Sequence, residues 1–248
     1  MNSKQFPQRL NEKEIILDKN KLVNTSQRKF YETTLLKSKL YLKQAIAVYL
    51  PQTNLKKYKC KALRNQRDKI DSPIVILADD LTGGLDSSCP FPLKGYKTKV
   101  YIDLPENIEP LKNDIDINPK QVVVFNTETR TSTEKEIEYI YDSIFLKYKW
   151  IFEKSLLFKK ADSTARGNIG FEIKLTLNKT NTPYAFVCLS YPELKRTQTM
   201  GILESDGDRI DHTKNNECLP PNLKYQTEKS LEIQSGLTTG LITQKEIS

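Results

Sequence analysis

Five short apolar runs, separated by polar segments with helical patterns, predict alternating strands and helices from residue 73 onward. The first run, Ile74-Val75-Ile76-Leu77-Ala78, is continuous and rich in β-branched residues, which is typical of a strand buried on both faces. The other predicted strands are residues 99–102, 121–125, 156–160 and 184–189. This alternation predicts an α/β fold, with an open, mainly parallel sheet flanked by helices.

Helix signals lie between these strands. Apolar residues recur at helical spacing over residues 137–148, and Thr133 with Glu136 predicts a capping box where this helix begins. Short helices are predicted to begin near Gly84 and Ile169.

Two prolines limit the helix that follows the first strand. Pro90 and Pro92 fall where that helix would continue, and a proline inside a helix costs about 3 kcal/mol. We therefore expect a short or broken helix that ends near Ser88.

The chain before the first strand differs from the rest in charge. Residues 1–71 contain 17 basic and 6 acidic side chains, a net charge of +11, whereas the rest of the chain contains 22 and 25, a net charge of −3, so the positive charge is concentrated at one end. The predicted parts are a poorly ordered segment over residues 1–28, an amphipathic helix over 29–50 and a second basic helix over 55–69. We predict a basic helical or partly disordered leader over residues 1–72 and a domain over 73–248. A solvated leader is favoured over nucleic-acid binding, because no nucleic-acid-binding motif accompanies the charge.

Several classes of protein and site are disfavoured by the sequence. No apolar run approaches the 18 residues of a membrane span, and no secretory signal is seen, so the expected location is the cytoplasm. The four cysteines lie far apart and His212 is the single histidine, which argues against a zinc site and a Ser-His-Asp triad. Neither G-x-x-x-x-G-K-[ST] nor G-x-G-x-x-G occurs, so no ATP site is seen.

Polar clusters follow the first, third and fourth predicted strands. Asp79 and Asp80 follow the first, Arg130 follows the third, and residues 160–166 follow the fourth. In an open α/β sheet, ligands bind beyond the carboxyl ends of the strands. We therefore expect Asp80, Arg130 and Asp162 to converge at one edge, which requires these three strands to be neighbours.

The residue types in these clusters suit a small polyhydroxylated acid. Carboxylates accept hydrogen bonds from hydroxyls, and one of them could act as general base on a substrate alcohol. Arginine is a forked donor suited to a carboxylate. Structural roles are the alternatives: Asp80 or Thr82 as a helix cap, and Arg130 in a surface ion pair. The density of polar groups after the fourth strand favours a functional site.

The three clusters, in this order, resemble the four-carbon acid sugar kinase family, which includes threonate and erythronate kinases. I-L-A-D-D-L-T-G-G-L-D resembles the family's A-D-D-L-T-G-A motif, and V-V-V-F-N-T-E-T-R resembles its N-T-x-S-R strand end. F-K-K-A-D-S-T-A-R-G-N-I-G-F-E-I is similar to its long K-K-x-D-S-T-L-R-G-N-x-G-x-E signature, and residues 191–197 resemble its P-x-x-G-R-T segment. The resemblance covers roughly residues 73–248.

The resemblance implies ATP-dependent phosphorylation of a four-carbon sugar acid, with ATP and Mg²⁺ as cofactors. In that family the N-terminal domain holds the acid and the C-terminal domain holds ATP. The residues then expected to bind the acid are Asp79, Asp80, Arg130, Lys160, Asp162, Ser163, Thr164 and Arg166. Asp80 is the expected catalytic residue, and Arg166 is expected to neutralise the acid's carboxylate or the transferring phosphoryl group.

The chain also departs from the family pattern. It ends at Ser248, about where the family's N-terminal domain ends, so we expect the ATP-binding domain to be absent and the chain to be inactive alone. Lys195 replaces the glycine of G-R-T, and Ala165 replaces a larger apolar residue. Three hypotheses follow: a substrate-binding half completed by a separate ATP-binding chain, a non-catalytic sugar-acid-binding module, or a truncated non-functional remnant.

Overall fold

The computed structural model describes residues 14–17, 44–49, 72–118, 120–210 and 226–243. The strands are β1 (Glu14–Leu17), β2 (Gln44–Tyr49), β3 (Ile74–Ala78), β4 (Lys97–Tyr101), β5 (Gln121–Asn126), β6 (Leu156–Lys160), β7 (Tyr184–Val187), β8 (Arg196–Thr199), β9 (Ile202–Ser205), β10 (Asp208–Arg209) and β11 (Thr238–Thr243). The α-helices are α1 (Leu81–Ser88), α2 (Pro90–Leu93), α3 (Glu109–Ile117), α4 (Glu134–Lys147), α5 (Lys149–Phe152), α6 (Ile169–Thr180) and α7 (Thr227–Ser235).

The main sheet has five strands in the order β1-β4-β5-β3-β6. β3, β4, β5 and β6 are parallel, and β1 pairs with β4 in the antiparallel direction. Helices cover both faces: α3, α4 and α5 pack on one and α1 packs on the other. The predicted α/β fold with a mainly parallel sheet is confirmed.

The central strands of this sheet are the most apolar ones. All six residues of β5 are buried, as are the last four of β3, because helices pack against the sheet on both sides. The predicted bounds of the first and fourth strands are confirmed at both ends, whereas the second strand begins and ends earlier than predicted, at Lys97 and Tyr101. Ala78 at the end of β3 is level with Asn126 on one side and Lys160 on the other, so the three strands end together.

Local signals determine where the helices begin and end. The capping box is present, with Thr133 accepting a hydrogen bond from the Glu136 backbone and the Glu136 side chain accepting one from the Thr133 backbone. α1 ends at Ser88, as predicted, and Pro90 begins a separate short helix, α2, which the sequence analysis did not predict. No helix in the described part of the chain is both long and apolar enough to cross a membrane.

The fifth predicted strand lies outside the main sheet. β7 instead pairs antiparallel with β2 in a three-stranded sheet of order β11-β2-β7, while β8, β9 and β10 form another. The expectation that this strand joins the parallel sheet is therefore wrong. Only Val187 of β7 is fully buried, whereas an inner parallel strand is buried on both faces.

The predicted helix over residues 29–50 is wrong at its C-terminal end, because residues 44–49 form β2. Ile46 and Val48 are β-branched residues that suit a strand, and β2 pairs with a strand on each side. These pairings outweigh the helical spacing of the apolar residues.

Residues 14–17 also form a strand, within a segment that was predicted to be poorly ordered. The rest of the predicted helix over 29–50, and the second predicted helix over 55–69, lie outside the described residues. The division of the chain between residues 72 and 73 stays a prediction, although β1 and β2 add strands to sheets built from residues after it.

α6 and α7 approach each other closely at Gly170. A Cβ atom on Gly170 would lie 2.6 Å from the Gln234 Cβ and 2.9 Å from the Leu231 carbonyl oxygen. The Gln234 side chain also accepts a hydrogen bond from the Gly170 amide at 2.7 Å and donates one to the Gly167 carbonyl at 3.2 Å. α7 therefore holds the loop that connects β6 to α6.

We expect Gly170→Ala to lower the free energy of unfolding by about 1–3 kcal/mol, because the added methyl group overpacks this contact. The loss should appear although alanine is the better helix former by about 1 kcal/mol. Urea denaturation measures it. Asn178→Ala, on the exposed side of the same helix, is the control and should change stability by less than about 0.5 kcal/mol. Equal stability of Gly170→Ala and the parent would show that the two helices separate without cost.

Candidate functional site at the carboxyl edge of the main sheet

The carboxyl ends of β5, β3 and β6 lie side by side, as the predicted site requires. Arg130 Nη1 lies 2.8 Å from Asp80 Oδ2, and Arg130 Nη2 lies 3.9 Å from Asp162 Oδ1. The predicted convergence of Asp80, Arg130 and Asp162 is confirmed. The binding and catalytic roles assigned to these residues stay predictions.

Arg130 joins both aspartates that follow β3. Its Nε donates to Asp79 Oδ2 at 3.0 Å and its Nη2 to Asp79 Oδ1 at 3.1 Å, in the bidentate geometry that suits arginine and carboxylate. Burial alone would lower the pKa of Arg130, but hydrogen bonds to Asp79 and the nearby carboxylates raise it overall. The Asp79 side chain is 2% exposed and that of Arg130 is 19% exposed, so this is a largely buried pair and not the surface ion pair that was the alternative.

Asp80 has two roles in the structure. Its Oδ1 accepts a hydrogen bond from the Gly83 amide at 2.8 Å and so caps α1, while its Oδ2 accepts from Arg130. A Cβ on Gly83 would lie 2.5 Å from Asp80 Oδ1 and 3.0 Å from Lys160 Nζ, so a larger residue would displace the Asp80 carboxylate from its present position. The cap alternative is therefore correct for Asp80, and its role as general base stays a prediction.

Asp162 organises the loop that follows β6. Its carboxylate accepts hydrogen bonds from the Thr164 amide at 3.2 Å, from the Thr164 hydroxyl, and from the Arg166 amide, Nε and Nη2 at 3.2, 2.8 and 2.8 Å. Burial alone would raise the pKa of Asp162, but these hydrogen bonds and the charge of Arg166 hold it well below its usual value. Asp162 is therefore ionised at neutral pH, and Thr164 and Arg166 both act on it directly.

Lys160 brings a second cation to this edge. Its Nζ donates to the Ala161 carbonyl at 2.7 Å. Burial lowers the pKa of Lys160, and the negative charges of Asp79, Asp162 and Asp80 act in the opposite direction. The ammonium group therefore lies in the field of three carboxylates.

Ser163 contacts a residue that the sequence analysis did not select. Arg196 Nη1 donates to Ser163 Oγ at 2.8 Å from the start of β8. Lys195, which precedes it, has a φ of +53°, in the left-handed region that favours glycine. Glycine would therefore suit position 195. Ala165, with a φ of +62°, also has a left-handed backbone conformation. The available signal was the R-T segment that contains Arg196.

A buried network below this edge was also missed. Glu172, which is 1% exposed, accepts a hydrogen bond from the Thr129 hydroxyl and pairs with Lys159 Nζ at 2.9 Å. Lys159 Nζ also donates to the Lys160 carbonyl at 2.8 Å, and the Thr127 and Thr129 hydroxyls lie 2.8 Å apart. The network connects α6 to the chain on either side of the site. Lys159 and Glu172 lie within the long motif, which was the signal that could have identified them.

The described residues offer charge and hydrogen bonds but no metal centre. No group of three or more His, Cys, Asp or Glu side chains within the described ranges is placed to hold a metal ion. Three carboxylates and the arginines that pair with them instead form a cluster of hydrogen-bond acceptors and donors.

Residues 74–248 match the family model described as a sugar-binding N-terminal domain. The chain belongs to this family. The match covers well over half of the chain and includes all the residues of the candidate site.

Relatives of this sugar-binding domain chain include two kinases. It is 32% identical over 135 residues to D-erythronate kinase from Heliobacterium modesticaldum, covering 53% of this chain and 29% of the relative. It is 27% identical over 128 residues to D-threonate kinase from Salmonella typhimurium, covering 52% of this chain and 28% of the relative. The resemblance to the four-carbon acid sugar kinases is confirmed, and the matched part spans under a third of these enzymes.

A solved structure shares the fold of the sugar-binding domain. It is a domain of unknown function from Bordetella bronchiseptica, crystallised with bound citrate as a domain-swapped dimer. The TM-score is 0.50 at 22% identity, over 66% of this chain and 40% of the other.

Proposed function

We propose that this chain binds a four-carbon sugar acid of the threonate or erythronate type and forms the substrate-binding half of an ATP-dependent kinase. The observation that carries the proposal is the convergence of opposite charges at one edge of the main sheet. The carboxylates are Asp79, Asp80 and Asp162, and the cations are Arg130, Lys160 and Arg166. The names of the two kinase relatives support the choice of acid.

The chemistry of the edge suits such a ligand. Ionised carboxylates accept hydrogen bonds from the hydroxyls of the sugar acid, and the cations attract its negative charge. The Ser163 and Thr164 hydroxyls lie in the same loop as Asp162 and add small polar groups. Asp80 is the proposed general base, which takes the proton of the hydroxyl that attacks the phosphoryl group.

ATP and Mg²⁺ are the proposed cofactors, and we assign none of the described residues to them. These residues contain no group placed to hold a metal ion, and the sequence has no phosphate-binding glycine motif. We propose that the ATP site comes from a region of the kinase relatives that this chain does not match, or from a separate chain. The 248 residues alone then bind the acid without consuming ATP. Location in the cytoplasm, where ATP is available, belongs to the same proposal.

Isothermal titration of the full chain with D-threonate and D-erythronate tests the proposal. We expect one of the acids to bind, and Arg130→Ala to weaken binding by about 10- to 100-fold, because it removes the cation that organises Asp79 and Asp80. Lys154→Ala is the matched control, since Lys154 is exposed and lies before the start of β6, at the opposite end of that strand from Lys160. An ATP-consumption assay runs beside the titration.

The outcomes separate the parts of the proposal. ATP turnover by the isolated chain would overturn the claim that catalysis needs a further region. Acid binding that Arg130→Ala leaves unchanged would overturn the placement of the site. Absence of binding to either acid would overturn the proposed function and favour a non-functional remnant.

A further inference from the structure

Two cations of the site are already engaged by carboxylates of the protein. The Arg130 fork contacts Asp79 and Asp80, and the Arg166 fork contacts Asp162. A carboxylate on the ligand would have to compete with these charge-assisted hydrogen bonds. Neither arginine therefore has its whole fork available for the acid group of a ligand.

Arg196 is different. Its Nη1 donates to Ser163 Oγ at 2.8 Å, but its buried Nε has no hydrogen-bond partner, and no carboxylate among the described residues forms an ion pair with it. A buried donor on a charged group is costly to leave unsatisfied. An acceptor with negative charge is the group that this position lacks.

The backbone holds Arg196 in place. The Tyr191 amide donates to the Arg196 carbonyl at 2.8 Å, and the Arg196 amide donates to the Tyr191 carbonyl at 3.1 Å. These bonds fix the backbone at the start of β8, and the hydrogen bond from Arg196 Nη1 to Ser163 Oγ directs the side chain to the loop that follows β6. That serine directly follows Asp162, whose carboxylate lies 3.9 Å from Arg130. Arg196 thus reaches the site from an element outside the main sheet.

We infer that Arg196 binds the carboxylate of the ligand and that its hydroxyls face the carboxylates beside Arg130, of which Asp80, with 24% of its side chain exposed, is the most accessible. Ser163 is the positioning residue that holds the guanidinium towards the site. This assignment rests on the proposed function, since it identifies which end of the sugar acid meets which group. It also gives the small sheet of β8, β9 and β10 a role in ligand recognition.

Titration of Arg196→Gln with D-threonate and D-erythronate tests the inference. We expect binding to weaken by about 10- to 100-fold, whereas Arg196→Lys should lose less because it keeps the charge. The carboxamide analogue of the acid, which lacks the negative charge, should bind the parent and Arg196→Gln equally weakly. Lys195→Gln is the control for loss of charge, because the Lys195 side chain is 77% exposed and forms an exposed ion pair with Asp206 at 3.4 Å. Thermal unfolding checks that each variant folds, and Arg196→Lys carries the test if Arg196→Gln does not.

Citrate serves as a second probe that separates this inference from the proposed function. If the parent binds a sugar acid and Arg196→Gln binds it as well, the inference is overturned and the proposed function stands. If the parent binds citrate through Arg196 but binds neither sugar acid, the carboxylate site stands and the proposed function is overturned. If the parent binds none of these carboxylates, both are overturned.

Discussion

Replacing Glu172 with glutamine is expected to lower the free energy of unfolding by about 3–5 kcal/mol, because it leaves the Lys159 charge buried without its counter-ion. The Lys159 and Glu172 side chains are 9% and 2% exposed, and their atoms lie 2.9 Å apart. Urea denaturation at neutral pH measures the change. Because Glu172 also holds the Thr129 hydroxyl next to Arg130, we expect acid binding to weaken as well.

Two comparisons separate the buried charge from other effects. Glu153→Gln breaks an exposed pair with Lys149 at 3.7 Å and should cost less than about 1 kcal/mol. The double variant Lys159→Met/Glu172→Leu removes both charges and should recover much of the loss, since apolar pairs of similar volume often replace buried ion pairs at little cost. A Glu172→Gln protein as stable as the parent would contradict the importance of this pair.

Asp162→Asn is expected to weaken sugar-acid binding on the order of 100-fold and to lower stability by about 1.5–3 kcal/mol. Asparagine keeps the shape of the side chain but loses the charge that attracts Arg166. Its NH₂ group cannot accept a hydrogen bond, so one of the two bonds from the Arg166 fork is lost. The loop that presents Ser163 and Thr164 then loses its organising group. Titration with the acids and urea denaturation measure the two effects.

The difference in stability between the parent and Asp162→Asn should decrease as the pH falls. The folded-state pKa of Asp162 lies below its unfolded value of about 3.9, so the stabilisation is fully present above that value and is lost as the pH falls through the folded-state pKa. The parent and Asp162→Asn should therefore differ by a constant amount between about pH 6 and 8 and converge in acid. Asp116→Asn, at an exposed aspartate in α3, is the matched control and should show no such difference. A difference that persists unchanged in acid would contradict the assignment to the Asp162 charge.

Local features of the chain could be predicted from the sequence because a few neighbouring residues determine them. The continuous β-branched run of β3 is typical of a strand buried on both faces. The Thr133 and Glu136 side chains accept hydrogen bonds from backbone amides at the start of α4. Pro90 ends one helix and begins another, since it lacks an amide proton and has a fixed φ. β2 could not be predicted in this way, because its pairing with β7 and β11 joins segments far apart in the chain.

The candidate site also has features that could be predicted from the sequence and features that could not. The polar residues at the ends of β3, β5 and β6 could be predicted to meet, because parallel strands bring their carboxyl ends to one edge. The hydrogen-bond and ion-pair partners of each side chain could not be predicted. That Arg130 is held by Asp79, and that Asp80 both caps α1 and contacts Arg130, depends on distances that the sequence does not contain.

The sequence by itself determined the α/β alternation, the end of α1, the starts of α4 and α6, the family resemblance and the set of residues at the sheet edge. Only the tertiary structure decided which strands lie outside the main sheet, which carboxylate holds which cation, and that Arg196 contacts Ser163 and Glu172 contacts Lys159. The physical reason is the distance along the chain between the residues that interact. Caps, prolines and apolar periodicity act within a few residues, whereas hydrogen bonds such as those from Arg196 to Ser163 and from Thr129 to Glu172 form only after distant segments have packed together.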